Sequence, residues 1–382
     1  MKEGWEYKTL GEVGSFKRGG NFSKKDFVKD GFPCIHYGQI HTKFGIFTEK
    51  HLSCVPANIV KKERCAKKGD LVIAITSEDE EGSCKCTAWM ADYEAYVGGH
   101  TAIYSHTLNP LFMSYYFKSP IFQIEKLNYT HGFKVVEISP KDIAKIKIPI
   151  PSLEEQRRIV SYLDSSFKLI DEIKNKALKT LTEAKALFQS ALAEAMEPKE
   201  GWEEKTFGEI CTYHKEQKRE NGYKYIGMEN IESGTGNLIG YGSTDNVLSS
   251  TFFFKKGDVL YGRLRPYLKK VYIAEFDGCC STEIFPIKTN GVLPGLIKYW
   301  FLTDEITNKI NDTSAGCRMP RGNMNEVLQF HLYIPSDKQS QKRIVSHLDK
   351  LSSKVRAMEE KYQKMVEECD ALKQAMLRDV FE

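Results

Sequence analysis

Two stretches of the chain repeat apolar or small residues at alternating steps of four and three. The first runs Ile159, Leu163, Ser166, Ile170, Ile173, Ala177, Thr180, Ala184, Leu187, Ala191, Ala195. The second runs Ile344, Leu348, Leu351, Val355, Met358, Tyr362, Met365, Cys369, Leu372, Met376, Val380. A period of 3.5 sustained over about five heptads predicts two long helices that pair along a coiled-coil seam. Ser152 with Glu155, and Ser336 with Gln339, have capping-box spacing directly after a proline, which marks both helix starts. At about 1.5 Å per residue, each helix would be about 65 Å long. A lone helix of this kind would expose its stripe, so the two are expected to bury each other within one chain. The small seam residues of the first helix suit pairing with an unlike helix; pairing with another chain is the alternative.

Elsewhere the pattern changes to short β-type runs: LVIAIT (71–76), VLYGRL, VYIA, and the alternating Ile146, Ile148, Ile150 mirrored by Phe330, Leu332, Ile334. Helical patterns such as LFMSYYFKS and GLIKYWFLTD are interspersed, which makes these regions α+β. The whole arrangement occurs twice. GWEYKTLGEVGSF (4–16) returns as GWEEKTFGEICTY (201–213), KKGDLV as KKGDVL, and QRRIVSYLD (156–164) as QKRIVSHLD (341–349). The offset drifts from 197 to 185 through small loop insertions, so one unit of roughly 190 residues has been duplicated. The expected division is a domain over 1–151, a helix over 152–197, a second domain over 198–335 and a second helix over 336–382.

Composition narrows the class. The chain has 382 residues, 41% of them hydrophobic, enough for globular cores. No apolar run approaches the ~18 residues of a membrane helix, and the start MKEGWEYK lacks a signal-peptide core. Ten irregularly spaced cysteines fit a reduced cytoplasmic protein. Cys84-Lys85-Cys86 and Cys279-Cys280 have the wrong spacing for zinc, so no metal site is expected. There is no GxxxxGK[ST] phosphate loop and no HExxH motif, and Asn109-Pro110-Leu111 lacks the second proline and aromatic with which amino-methyltransferases grip a flipped base. The net charge of +4 excludes a polybasic DNA coat. Residues 1–151 hold 21 basic and 17 acidic residues and residues 198–335 hold 17 of each, so a DNA-binding surface would have to lie in local loops.

Along its whole length the sequence resembles the DNA-specificity subunits of type I restriction–modification systems. The resemblance rests on IPIPSLEEQRRIVSYLD, YIPSDKQSQKRIVSHLD, KKGDLVIAITSEDEEGSCKCTAWMADYEAYVGGHTAIY and KKGDVLYGRLRPYLKKVYIAEFDGCCSTEIFPI. Its most specific element is the helix opening Pro-x-x-x-Glu-Gln-x-x-Ile, present twice; the second copy departs by one residue, with Ser340 before Gln341. The resemblance implies two α+β target-recognition domains separated by an antiparallel coiled coil of two helices. It implies a non-catalytic reader of a bipartite, asymmetric double-stranded DNA target. The partners implied are two modification subunits that methylate adenine N6, and restriction subunits. S-adenosylmethionine, ATP and Mg belong to those partners, with no cofactor on this chain. Gln156, Ile159, Leu163, Gln341, Ile344 and Leu348 in the helix openings are the expected partner-binding positions. The rival readings are a specificity partner of a fused nuclease–methyltransferase and a coiled-coil scaffold that does not read DNA.

Within the domains, basic residues cluster around prolines and glycines. Arg263, Arg265, Lys269 and Lys270 surround Pro266-Tyr267, and Arg318 and Arg321 flank Pro320. The counterparts in the first domain are Lys17, Arg18, Lys24 and Lys25, with His131 and Lys134. Arginine pairs with guanine O6/N7 and asparagine with adenine, which makes Arg318, Arg321 and Asn323 the expected base readers. Lys24, Lys25, Lys269 and Lys270 are expected on phosphates, which position without specifying. Ser77, Lys85 and His100 are further candidates in the family-like stretch of the first domain.

Overall fold

The computed structural model describes residues 4–132, 135–217, 221–314 and 318–382. Lys134 lies outside them. Two compact units partition the chain: residues 1–176 with 365–382, and residues 177–364. Each contains a mixed domain and an antiparallel pair of helix segments.

In the first unit, strand Glu6–Thr9 pairs antiparallel with Lys147–Ile150, so the chain's start is bound to the strand that feeds the first long helix. A five-stranded sheet has the order Gly14–Arg18, Thr101–His106, Leu71–Ala74, Cys86–Trp89, Phe47–Thr48. A four-stranded sheet follows the order Ser53–Val55, Phe32–Ile35, Ala95–Val97, Cys65–Ala66. Leu71–Ala74 is buried at every position, as a central strand covered on both faces requires. Helix Pro110–Lys118 adds Phe112, Met113, Tyr115, Tyr116 and Phe117 to the core. The second unit repeats the plan. Trp202–Thr206 pairs with His331–Pro335, and one four-stranded sheet runs Cys211–Tyr213, Ile284–Thr289, Val259–Gly262, Val271–Ile273. Another runs Gly242–Ser243, Lys224–Ile226, Gly278–Ser281, Thr251–Phe254.

The long helices span Leu153–Met196 and Lys338–Phe381. Their opening glutamines explain the repeated motif. Gln156 accepts the Asn109 backbone N–H through Oε1 at 2.9 Å and donates Nε2 to the Pro151 carbonyl at 3.0 Å. Gln341 makes the same two bonds, to Leu293 N–H and the Pro335 carbonyl, each at 3.0 Å. Each glutamine is 2% exposed and ties its helix to the domain before it. Ile159 and Leu163 are buried in the first core, Leu348 is buried in the second, and Ile344 packs against that second core. These six positions were expected to meet partner subunits. The structure gives them contacts inside the chain: Gln156, Ile159, Leu163, Gln341 and Leu348 are buried, and Ile344 is half-buried against the second core.

The pairing of helix segments is antiparallel in both units. Lys174 meets Asp370 and Asp171 meets Lys373 in the first unit, and Lys185 meets Glu359 in the second. The seam differs from the heptad reading at three places. Ile173, Leu187 and Leu372 are 44%, 67% and 50% exposed, whereas Phe188, Leu377 and Phe381 are buried. From Ala184 the inward face continues at i+4, not i+3, with Phe188 buried and Leu187 exposed. Apolar residues occupy both Leu187 and Phe188, so composition could not fix the phase; packing of Phe188 against the second core does. No described helix is long and apolar enough to cross a membrane.

Candidate nucleic-acid interface

In the first domain one edge gathers basic and aromatic side chains from distant segments. Ser23 caps the short turn Lys24–Asp26 and leaves Lys24 and Lys25 exposed. The Lys24 side chain runs beside Gly38 and His36, and Tyr37 follows His36 at the start of helix Tyr37–Thr42. The Tyr37 ring lies 4.5 Å from His36, 6.1 Å from His41 and 5.4 Å from His100. Burial holds the His36 imidazole below its ordinary range, and the charges of Lys24 and His100 push the same way. His41 is lowered by burial, against a contact from its Nε2 to the Thr76 carbonyl at 3.3 Å. His100 is exposed at a left-handed φ of 62°, a conformation that directs it out of the strand start that follows.

Ser77 lies in strand Thr76–Ser77, which pairs with Val136–Glu137. Glu137 binds Arg18 at 2.5 Å, and its backbone exchanges hydrogen bonds with that of exposed His131. Any Cβ at position 19 would collide with the Gly98 carbonyl, so only glycine lets the end of strand Gly14–Arg18 pack here. Lys85 is exposed and contributes to the field at His41. The edge therefore brings together Arg18, Lys24, Ser77, Lys85, His100 and His131. Tyr37, His36, His41 and Glu137 also belong to it and went unnoticed in the sequence; the aromatic-histidine run His36-Tyr37-x-x-x-His41 was the available signal. Lys17 is exposed on the neighbouring position of the same strand as Arg18, and alternation sends it to the opposite face.

In the second domain the two basic loops are joined. Leu264 bridges Arg321, Gly322 N–H donates to the Arg263 carbonyl at 3.0 Å, and Arg265 N–H donates to the Pro320 carbonyl at 2.7 Å. Arg263 and Arg321 converge on one carboxylate, Glu283, at 3.0 and 2.8 Å. Arg265, Tyr267 and Arg318 are exposed beside them. Arg265 and Lys269 hold left-handed backbone at φ 53° and 48°, enclosing the turn Pro266–Leu268.

Three expected contacts have other duties. The Lys269 ammonium binds Asp304 at 2.5 Å and the Leu302 carbonyl at 3.0 Å, with its side chain 12% exposed. Lys270 donates to the Met228 carbonyl, and burial lowers its pKa. Both are anchored on protein oxygens, which removes them from the phosphate-binding set. Asn323 caps helix Met324–Val327, its oxygen accepting from Asn325 N–H and its amide donating to Glu326 at 2.6 Å. One amide hydrogen and one oxygen lone pair are thus engaged in capping the helix, a role that fixes the side chain against its own backbone. Among the described residues, no group of three or more His, Cys, Asp and Glu is placed to hold a metal ion.

A family model, "Type I restriction modification DNA specificity domain", matches residues 2–183 and 199–368, one copy for each repeat. The EcoDI specificity subunit of a type I restriction enzyme from Escherichia coli is 24% identical over 289 residues, 65% of each chain. The StySPI specificity subunit from Salmonella potsdam is 26% identical over 51% of this chain and 43% of its own length. The chain thus matches less than two thirds of either relative's length. Among solved structures, a chain from a study of type I R-M complex assembly and conformational transition has a TM-score of 0.78 at 18% identity, with 100% of this chain and 98% of that one covered. The HsdS subunit from Thermoanaerobacter tengcongensis gives 0.57 at 17%, covering 100% and 97%. With both repeats matched by one family model on a shared α+β fold, the chain belongs to the type I restriction–modification DNA specificity family.

Proposed function

We propose that this chain is the sequence-reading subunit of a type I restriction–modification complex and performs no chemistry itself. Each domain reads one half of a split double-stranded DNA target. The exposed faces of the long helices receive two modification subunits, which use S-adenosylmethionine to methylate adenine, and through them restriction subunits that use ATP and Mg. The observation that carries this reading is one scaffold used twice with unlike loop chemistry. Glu137 in the first domain corresponds to Arg321 in the second, because Thr76 pairs with Glu137 as Leu264 pairs with Arg321. Two frames alike in strand register but unlike at their basic edges suit two different half-sites.

In this reading exposed Lys24, Lys25 and Lys85 serve phosphates, and Arg18, Arg265, Arg318 and Arg321 are the candidates for base edges. Methylome sequencing of cells with the chain deleted and restored tests the proposal. Restoration should return one split, asymmetric adenine-methylation motif. A continuous or palindromic motif, or a motif that survives deletion, would overturn it.

A further inference from the structure

Glu283 sits between strands Gly278–Ser281 and Ile284–Thr289, its side chain 21% exposed. Its backbone is fixed from both sides: its N–H donates to Ser281 Oγ at 3.3 Å, and its carbonyl accepts from Arg263 N–H at 2.9 Å. One carboxylate oxygen accepts from Arg263 Nε at 3.0 Å and the other from Arg321 Nε at 2.8 Å. Two guanidinium groups brought this close would repel each other without the carboxylate between them. Both arginines spend their Nε–H on Glu283, so the Nη ends are the parts left to extend. Arg321 Nη1 makes a long 3.4 Å contact with the Met319 carbonyl, and the Arg263 guanidinium lies 5.3 Å over the Phe285 ring. The side chains are 33% and 43% exposed, which gives each an anchored end and an open one.

We infer that Glu283 is a positioning residue for base reading: it aligns Arg263 and Arg321 as a paired fork for the O6/N7 acceptor edge of guanine in the half-site read by the second domain. The inference rests on the DNA-reading function proposed above. A carboxylate near a DNA surface repels phosphate, so its place here serves alignment and not attraction. Arginine held at Nε presents the planar donor pair that matches guanine's two major-groove acceptors. The matching positions of the first domain lack this device. Ala102 pairs with Ile73 as Phe285 pairs with Tyr261, so the residue matching Glu283 is His100, and Arg263 corresponds to Ile75. Guanine reading by this fork is therefore confined to one half-site.

The test is Glu283→Gln in the full chain, assembled with its methyltransferase subunits. Motif sequencing should show the first half-site unchanged and guanine discrimination in the second reduced about tenfold to a hundredfold. Affinity for unrelated DNA should hold or rise, because a negative charge is lost. Arg321→Lys, which keeps the charge without the fork, should relax the same position. Retention of the first half-site shows in the same experiment that the variant folds and assembles. A second half-site without guanine, a variant motif unchanged in both halves, or both halves relaxed equally would overturn the inference. If the wild-type complex itself gives no split motif, the DNA-reading function falls and this inference with it; an intact wild-type motif with an unchanged variant motif overturns the inference alone.

Discussion

Lys174 reaches across the helix pair to Asp370, with its ammonium 2.6 Å from each carboxylate oxygen. The repeat offset of 185 turns position 174 into 359 and position 185 into 370, and Lys185 pairs with Glu359 at 3.1 Å in the other unit. The two ion pairs are therefore images of each other, with lysine on the first helix and the acid on the second both times. Pairing of like helices in this register would set lysine against lysine or acid against acid.

Reversing one charge tests this arrangement. Lys174→Glu should destabilise the first unit by about 1 kcal/mol, from the lost pair and the new repulsion. Adding Asp370→Lys should restore most of it, with a coupling of about 0.2–1 kcal/mol because both groups are partly solvated. Denaturation in about 1 M salt should shrink that coupling, since the Debye length falls to about 3 Å. No coupling at low salt would mean that the apolar seam alone holds the register.

The opening glutamines carry a larger stake. Gln156→Ala removes partners from the Asn109 N–H, just before helix Pro110–Lys118, and from the Pro151 carbonyl, just before helix Leu153–Met196. Leaving a buried polar group unmet costs about 1–3 kcal/mol. Gln341→Ala should cost a similar amount through Leu293 and Pro335. Urea unfolding of the two single variants and the double variant should give nearly additive losses, because the sites share no partner. A loss below about 0.5 kcal/mol would show that water replaces the side chain freely.

These elements differ in how far the sequence exposes them. A proline followed by a capping serine is local chemistry, so the first helix start at Ser152 could be read directly. The second falls one residue later than the Ser336–Gln339 spacing predicts, because Asp337 accepts the Ser340 N–H at 2.7 Å while the Ser336 hydroxyl donates to the Gly201 carbonyl. The phase of the seam at Leu187 and Phe188 could not, because both residues are apolar and the choice depends on a core built from residues far along the chain. Asn323 with Glu326 has N-cap spacing and was legible as a cap. Lys269 was not legible, since its acceptors at Leu302 and Asp304 come from a different segment. Glu283 lay outside every basic cluster, and only the strand register brings it between Arg263 and Arg321.

Lys25 and Lys269 separate surface charge from structural charge. Lys25 is exposed, while Lys269 is engaged by Asp304, Leu302 and Gln189. Lys25→Ala should leave thermal stability unchanged and lower the salt slope of DNA binding by about one counterion in the assembled complex. Lys269→Ala should lower the melting temperature and leave the slope of the folded complex unaltered. Binding isotherms from 50 to 200 mM salt, with melting curves beside them, decide; a reduced slope for Lys269→Ala would return it to the phosphate contacts.

His106 supplies a pH signature for the first domain. Both of its ring nitrogens are buried with no hydrogen bond of good geometry, the Leu108 backbone being the polar group acting on the ring, and the Tyr104 ring lies 5.0 Å away. Burial is the main cause that lowers its pKa from 6.5 to about 4, with the Leu108 backbone pulling weakly the other way. Between those two values the unfolded chain binds a proton that the folded one refuses, so stability rises with pH across that window and falls as acid is added. The loss on going from pH 7 to pH 4 should be on the order of 3 kcal/mol for this group. Above pH 6.5 it should be absent, because the ring is neutral in both states. Carboxylates held low by caps and ion pairs, such as Glu12 and Asp142, act at lower pH. His36 and His41, also lowered by burial, add to the slope in the upper part of the window, so the comparison with a His106 variant isolates this ring. His106→Phe fills the site without a titrating group, so the variant's unfolding free energy should run flatter than the wild type's between pH 6.5 and 4.5. Parallel curves would mean that water reaches the ring when it protonates.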